Sequence, residues 1–405
     1  MAMKVSNPMY QYCREMGTAV VMMALLVGLA WRVSGQTWIP TSAPLLEWLS
    51  VASSADGTRL VAGTWEGPIY VSTNSGTTWT PTSPPGAGWN SVACSADGTT
   101  LIAAGYLTPI CLSTNFGVTW TATAFINGFN GVAMSADGTK LIAVAFDFYW
   151  KSAIYVSTNS GDTWTTYSQD NLQHPDWPLW IGAAASADGN TMIVASQQMV
   201  CISTNSGTTW ATNSLSDIFQ IACSADASHI IAGGWNGVIH ISTNSGATWS
   251  SETNLFNGAA GRVACSANGG KILAVAGGHQ IYLSSDFGAS WIEASAPTKI
   301  WSSVACSADG SKMVAGEYDL SSYKGLVYTA QTTPTSWLEI TPSEGNLVLS
   351  WTVPSMPFVL QQNSDLSTTN WTDVTTVPTL NYVNLKYQVT IPAPLGMSFY
   401  RLVSR

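Results

Sequence analysis

Ser54-Ala55-Asp56-Gly57, followed by Ser72-Thr73-Asn74-Ser75-Gly76-Thr77-Thr78-Trp79, decides the fold, because both pieces recur along the 405-residue chain. The tetrapeptide returns at Ser95, Ser135, Ser186 and Ser307, and as the variants Ser224 to Ala227 and Ser266 to Gly269. Successive starts are 41, 40, 51, 38, 42 and 41 residues apart. The longer piece returns from Ser113, Ser157, Ser203 and Ser242, and from Ser284 to Trp291 with Asp286 in the Asn position. Short apolar runs between these turn-forming pieces mark a repeat protein built of short strands.

The second copy illustrates the unit. Asn90 to Ala96 reads as a first strand, Asp97-Gly98 as its turn, and Leu101 to Ala104 as a second strand. Ile110 to Thr114 is a third, the chain reverses at Asn115 to Gly117, and Thr119 to Ala122 runs back as the outer strand. Four strands at a period of about 40 to 45 residues make the blade of a β-propeller. The inner strands are apolar on both faces, as sheets packed between two neighbours must be.

Each residue type in the longer piece has a mechanical role. The Asn or Asp side chain is expected to bond backbone amides two residues on, the Gly to take a positive φ, and the Trp to pack between blades. Those roles fall to Asn74, Gly76 and Trp79, and then to Asn115 with Trp120, Asn159 with Trp164, Asn205 with Trp210, Asn244 with Trp249, and Asp286 with Trp291. The box resembles the Asp-box (BNR) repeat of sialidase-like and photosystem II assembly factor-like propellers. It departs from that pattern where Asn replaces Asp at 74, 115, 159, 205 and 244.

A seventh box, Val327 to Trp337, is degenerate: Pro334 stands for Gly and Thr332 for the polar anchor. Gly35-Gln36-Thr37-Trp38 looks like the tail of a box without its head. The two fragments predict an all-β fold: a seven-bladed propeller over 36–337 in which Thr37 to Pro40 joins the blade built from Ser303 to Thr329. Such a ring has no open sheet edge at its seam.

Residues 1–35 read as a signal peptide: Lys4 and Arg14 precede an apolar run from Gly17 to Trp31, too short for a membrane span, with cleavage after Gly35; an uncleaved anchor, with Arg32 at the end of the run, is the alternative. Export follows, and no membrane span is expected in the mature chain. From Leu338 to Arg405 the repeat gives way to alternating segments, among them Leu347 to Trp351, Phe358 to Gln362, Tyr387 to Ile391 and Phe399 to Leu402. They predict a small β-sandwich. It resembles the immunoglobulin or fibronectin type III-like C-terminal modules of exported bacterial proteins, including the closing Phe399-Tyr400-Arg401-Leu402, and implies spacing, docking on the propeller, or surface attachment.

Charged residues are 9% of the chain and the net charge is −9, which argues against disorder and against a nucleic-acid partner. Cys94, Cys223, Cys265 and Cys306 share one repeat slot with Ser53, Met134 and Ala185, and Cys111 and Cys201 share another with tyrosines. Interchangeability of that kind predicts free, buried thiols that fill the core. The histidines His174, His229, His240 and His279 lack zinc-ligand spacing, and no calcium loop occurs, so neither metal nor cofactor is expected.

The first and third turns of each blade share one face of the ring, and the invariant motifs occupy it. Individual chemistry is therefore expected on the opposite face, at the second turns and the links between blades. Inner-strand starts there carry Trp48, Trp89, Phe129, Trp180, Phe219, Ala260 and Trp301, and the second turns add Trp65, Tyr106, Trp235 and Tyr318, with Phe148, Tyr149 and Trp150 in a longer loop. Such rings either pack as core or stack on sugar. Carboxylates on that face are Glu66, Asp147, Glu317 and Asp319, with Asp170 and Asp176 in the long link. Two of them at suitable separation could hydrolyse a glycoside.

The resemblance to sialidases does not extend to their chemistry. Those enzymes clamp a sugar carboxylate with three arginines, whereas beyond residue 35 the chain has only Arg59, Arg262, Arg401 and Arg405, with Arg59 beside a turn on the wrong face. The sequence thus predicts a monomeric, exported, non-catalytic propeller that binds a carbohydrate or a protein. A glycoside hydrolase using Glu66, Asp147 or Glu317, or an assembly-type scaffold, is the alternative.

Overall fold

The computed structural model describes residues 36–146, 152–168, 179–252, 261–319, 321–332, 338–354, 357–394 and 398–404. The leader, Asp147 to Trp150, Asp170, His174, Asp176, Ala260 and the Trp337 end of the degenerate box lie outside these residues. Among the described residues all regular structure is β-strand.

Each Ser-Ala-Asp-Gly copy turns the first strand of an antiparallel four-strand group into the second. Trp48–Ser53, Leu60–Thr64, Ile69–Ser72 and Thr80–Thr82 pair in that order. Trp180–Ala185 to Ala211–Ser214 and Ile218–Cys223 to Ser250–Glu252 repeat the arrangement. One expectation fails: the outer strand of the second copy does not stop near Ala122. A single strand, Thr121–Met134, pairs first with Tyr106–Ser113 and then with Leu141–Phe146, so two groups form one sheet. The link is short and its side chains alternate between exposed and half-buried from Ala122 to Asn127, so it stays extended and finds partners on both sides.

The last group, Lys299–Cys306, Lys312–Glu317 and Val327–Gln331, takes its fourth strand from the other end of the chain: Ile39 pairs with Thr329 and Pro40 with Tyr328. Trp38 is buried in the core that holds Val304, its ring 6.3 Å from that of Trp301.

The tetrapeptide works as a local hydrogen-bond clasp. Ser54 Oγ donates to Asp56 Oδ1 at 2.7 Å and accepts from the Arg59 amide, while Asp56 Oδ1 accepts from the Thr58 amide. Gly57 sits at φ +66°, and a Cβ there would meet the Lys312 side chain at 2.8 Å, so a side chain at this position is both strained and crowded; Ala227 fills the slot in the fifth copy at φ +54°. The alanine has a role that reaches beyond its own turn. Its N–H donates to the carbonyl of the next alanine, from Ala55 through Ala96, Ala136, Ala187, Ala225, Ala267 and Ala308 and back to Ala55, at 2.6 to 2.8 Å. Larger side chains would collide where these turns converge, which explains why all the copies keep Ala.

A second set of bonds joins neighbouring groups through side chains. Val92 donates its amide to Ser50 Oγ, Val132 to Ser91 Oγ, Val263 to Gln220 Oε1, and Val51 to Ser303 Oγ, at 2.8 to 3.1 Å. In the longer box the Asn side chain reaches further than the sequence reading supposed. Asn74 Oδ1 accepts from the Thr78 amide, four residues on, and its Nδ2 donates to Thr78 Oγ1. Asp286, lacking the amide, instead accepts from the Ser290 amide and hydroxyl.

The C-terminal segment forms two antiparallel sheets, Glu339–Ser343, Asn346–Thr352, Lys386–Pro392 and Thr379–Asn381 in one, and Thr372–Asp373, Phe358–Asn363 and Phe399–Ser404 in the other. Leu347, Leu349, Trp351, Leu360 and Val389 fill the core between them. Val353 is buried against the alanine circuit together with Leu380, Leu385 and Tyr387. Leu385 closes a cavity of about 170 Å³ walled by those alanines and by Cys94, Cys223, Cys265 and Cys306. The thiols are free, and burial pushes Cys94, Cys223 and Cys306 up to about 12.

Candidate functional site

With the C-terminal unit seated on the face of the tetrapeptide turns, the second turns project from the opposite face. The aromatic residues predicted at the inner-strand starts are not on its surface: Trp48, Trp89, Phe129, Trp180 and Trp301 are fully buried. At about 150 to 250 Å² per ring, their burial supplies much of the packing between groups. Their polar edges do positional work, however. Trp48 Nε1 donates to Gly325 O at 3.0 Å and Trp89 Nε1 to Gly67 O at 3.2 Å, so each of these rings pins the second turn of the group before it.

The aligned position in the fifth group is Ile218, paired with Gly234 as Trp48 is with Thr64, and not Phe219. The bulge that follows Ile218 also follows Trp48, Trp180 and Trp301, so Phe219 takes the bulged position that Leu49, Ile181 and Ser302 take in those groups. Its ring meets Trp235 at 4.3 Å, edge to face, and the Arg262 guanidinium lies 4.6 Å over it. Burial lowers Arg262 to about 10, and its Nη1 donates to the Trp301 carbonyl. Asp217 caps this cluster by accepting from the Trp235 amide with its carbonyl and from the Asn236 amide with its side chain.

Exposed rings from other second turns lie near Glu47. Trp65 and Tyr106, 36% and 42% exposed, stack with centroids 6.2 Å apart and planes at 30°. Gly88 links their turns, donating to the Trp65 carbonyl and accepting from the Tyr106 amide. Tyr318 meets the exposed Tyr323 edge-on at 6.2 Å. Leu46 and Gly325 exchange backbone bonds, which brings the turn of Tyr318 and Tyr323 alongside the segment that carries Glu47. Glu47 accepts from the Trp65 amide through its carbonyl. Its carboxyl is raised from the ordinary range, first by partial burial and then by the charge of Glu66. Tyr318 is likewise raised, by burial, Glu47 and Tyr323.

Glu317 is occupied otherwise. Lys299 Nζ lies 2.7 Å from Oε1 and the Leu326 amide donates to Oε2, in a buried setting. Glu66 is exposed, and Asp147 falls outside the described residues. Sequence reading missed Glu47 and Tyr323; the one signal for Glu47 was a carboxylate directly before a ring-slot tryptophan. Among the described residues no group of His, Cys, Asp and Glu has metal-binding geometry, and no helix is long and apolar enough to cross a membrane.

No protein-family model matches the chain, and no curated protein does. Solved structures do. U3-55K aligns at 14% identity over 73% of this chain and 98% of that one, with a TM-score of 0.58. The β-propeller domain of Myceliophteria thermophila Cps50 (Swd1) aligns at 11% identity over 75% and 99%, at 0.56. YCF48 bound to D1 peptide aligns at 15% identity over 75% and 98%, at 0.53. The fold is a β-propeller. Identities this low carry the fold alone, and the propeller's blades are the four-strand groups described above.

Proposed function

We propose that the chain is an exported, seven-bladed propeller of Asp-box type that acts as a binding module, presenting its second-turn face to a protein or carbohydrate partner. The observation that carries this reading is the seating of Leu385 and Val353 on the alanine circuit. It covers the invariant face with the chain's own C-terminal unit and leaves free the face that bears Trp65, Tyr106 and Trp235. In this reading the C-terminal unit is an immunoglobulin- or fibronectin-like sandwich serving as a stopper, and the Ile39–Pro40 strand closes the ring.

Binding is favoured over glycoside hydrolysis because Glu317 is committed to Lys299 and to the Leu326 amide. A scaffold role agrees with the propellers it resembles, one of which was solved with a bound peptide. The test is a screen of the full chain on a glycan array and on displayed random dodecapeptides. Binding to either should drop about tenfold or more when Trp65 or Trp235 becomes Ala with the fold intact. No binder in either screen, or binders indifferent to both substitutions, would contradict the reading.

A further inference from the structure

The cluster around Glu47 combines exposed rings with two carboxylates, Glu47 and Glu66, that take part in neither ion pair found among the described residues. Beside the stacked Trp65 and Tyr106 the chain exposes Leu107, and beside Tyr323, across the backbone bridge between Leu46 and Gly325, it exposes Leu45, at 44% and 60%, so the seam between the last blade and the first two carries several exposed apolar side chains. Contiguous exposed apolar surface with a polar rim marks an interaction site. The rim carries Glu47, Glu66 and Asp319 against Lys324 and Lys299, of which Lys299 pairs with Glu317 and also acts on Asp319 through its charge. Among the described residues the ion pairs are Lys299 with Glu317 and Lys386 with Glu339, and neither neutralises Glu47 or Glu66.

We propose that Trp65, Tyr106, Tyr318 and Tyr323, with Glu47 and Glu66, form a docking site for a basic, extended segment of a partner protein. Lys or Arg side chains of that segment would lie over the ring faces and between the carboxylates. This rests on the reading of the second-turn face given above and narrows it to one class of ligand. Charge complementarity selects the class. The Glu47 carbonyl accepts from the amide of Trp65, the residue before Glu66, so the two acids sit on adjoining backbone, and a bound cation offsets their charge whereas a neutral sugar does not. The aromatic faces add cation–π attraction, which is directed at the same ligand groups. The chain's net charge of −9 favours the encounter at long range.

Fluorescence anisotropy on the full chain tests this with a labelled dodecapeptide of Gly-Arg-Ser repeats, its Gly-Glu-Ser counterpart, and chitin and cellulose oligosaccharides. The Arg peptide should bind and the Glu peptide should not. Glu47→Gln with Glu66→Gln should weaken binding about fivefold or more, and so should Trp65→Ala. The charge-matched control, Glu344→Gln with Asp365→Asn on the C-terminal unit, should leave it unchanged. No binding of the Arg peptide, or equal weakening in the control, overturns the proposal. If an oligosaccharide binds through Trp65 while the Arg peptide does not, this proposal fails and the binding face stands; if neither probe responds to Trp65→Ala, both fail.

Discussion

The amide of Ala308 donates to the carbonyl of Ala55 at 2.7 Å, so the last tetrapeptide turn is joined to the first by the same bond that joins every other neighbouring pair. The side-chain bond from Val51 to Ser303 Oγ repeats the pattern at the same junction. The place where the chain's two ends meet is therefore built like the internal junctions, and the N-terminal segment is part of the fold's core.

Trp38→Ala should be severely destabilising, by about 3 to 5 kcal/mol, because the ring is buried against Trp301 and leaves a cavity when removed. Ile39→Ala, one residue on and exposed, should change stability by less than about 0.5 kcal/mol. Urea unfolding of the two variants checks the contrast.

Ala136→Leu should cost about 1 to 3 kcal/mol, since overpacking at the circuit forces apart the bonds to Ala96 and Ala187. Faster hydrogen exchange at the amides of Ala96 and Ala136, which donate those two bonds, than in the unaltered chain is the matching observable.

The thiols give a pH signature in the alkaline range. Cys94, Cys223 and Cys306 titrate near 12 in the folded chain and in the ordinary thiol range when unfolded, so the folded state holds more protons between those limits. Stability from this source is fully present below about pH 8.5 and is lost as pH rises toward 12. The urea midpoint should fall over that interval, and more shallowly when the three cysteines become Ala.

The turn aspartates give the opposite limb. Burial alone would raise Asp97, Asp137, Asp188 and Asp226, but the hydroxyl and amide bonds from the neighbouring Ser, Thr and Asn residues outweigh it and leave all four lowered. Their contribution is present above the ordinary carboxyl range and is lost as pH falls through the depressed values. Acid unfolding should move to higher pH in Asp137→Asn.

Leu385→Asp should unseat the C-terminal unit by placing a charge against the buried alanines and Val353, and the thiols lining the cavity there should then react faster with a maleimide at neutral pH. Mass spectrometry of Cys223, Cys265 and Cys306 peptides reads the rate, and unchanged labelling would show that the unit does not cover the circuit.

The repeat and its turns were legible because Ser54, Asp56, Asn74 and Gly76 act through bonds to amides only a few residues away, and such bonds leave a sequence pattern. The pairing of Ile39 with Thr329 was legible too, through two incomplete boxes. What escaped depends on position in space. Phe219 is the exception: it stands five residues before its tetrapeptide where Trp48, Trp89, Phe129, Trp180 and Trp301 stand six before theirs, so the spacing itself put Ile218 in the slot and the ring character of Phe219 obscured it. Whether Trp48 or Trp65 faces solvent is set by which turn each ring reaches, and both look alike in sequence. Glu47 acquires its meaning only when the Tyr318 turn folds beside it.

The pair Ile39→Cys and Thr329→Cys tests the closure of the ring most directly, because these residues sit opposite each other in the register of the closing strands. Oxidation of the purified double variant should give a monomer containing one intramolecular disulfide between positions 39 and 329, with a raised unfolding midpoint. Absence of that bond, or a disulfide found only between two chains, would contradict a ring closed by its own N-terminal strand.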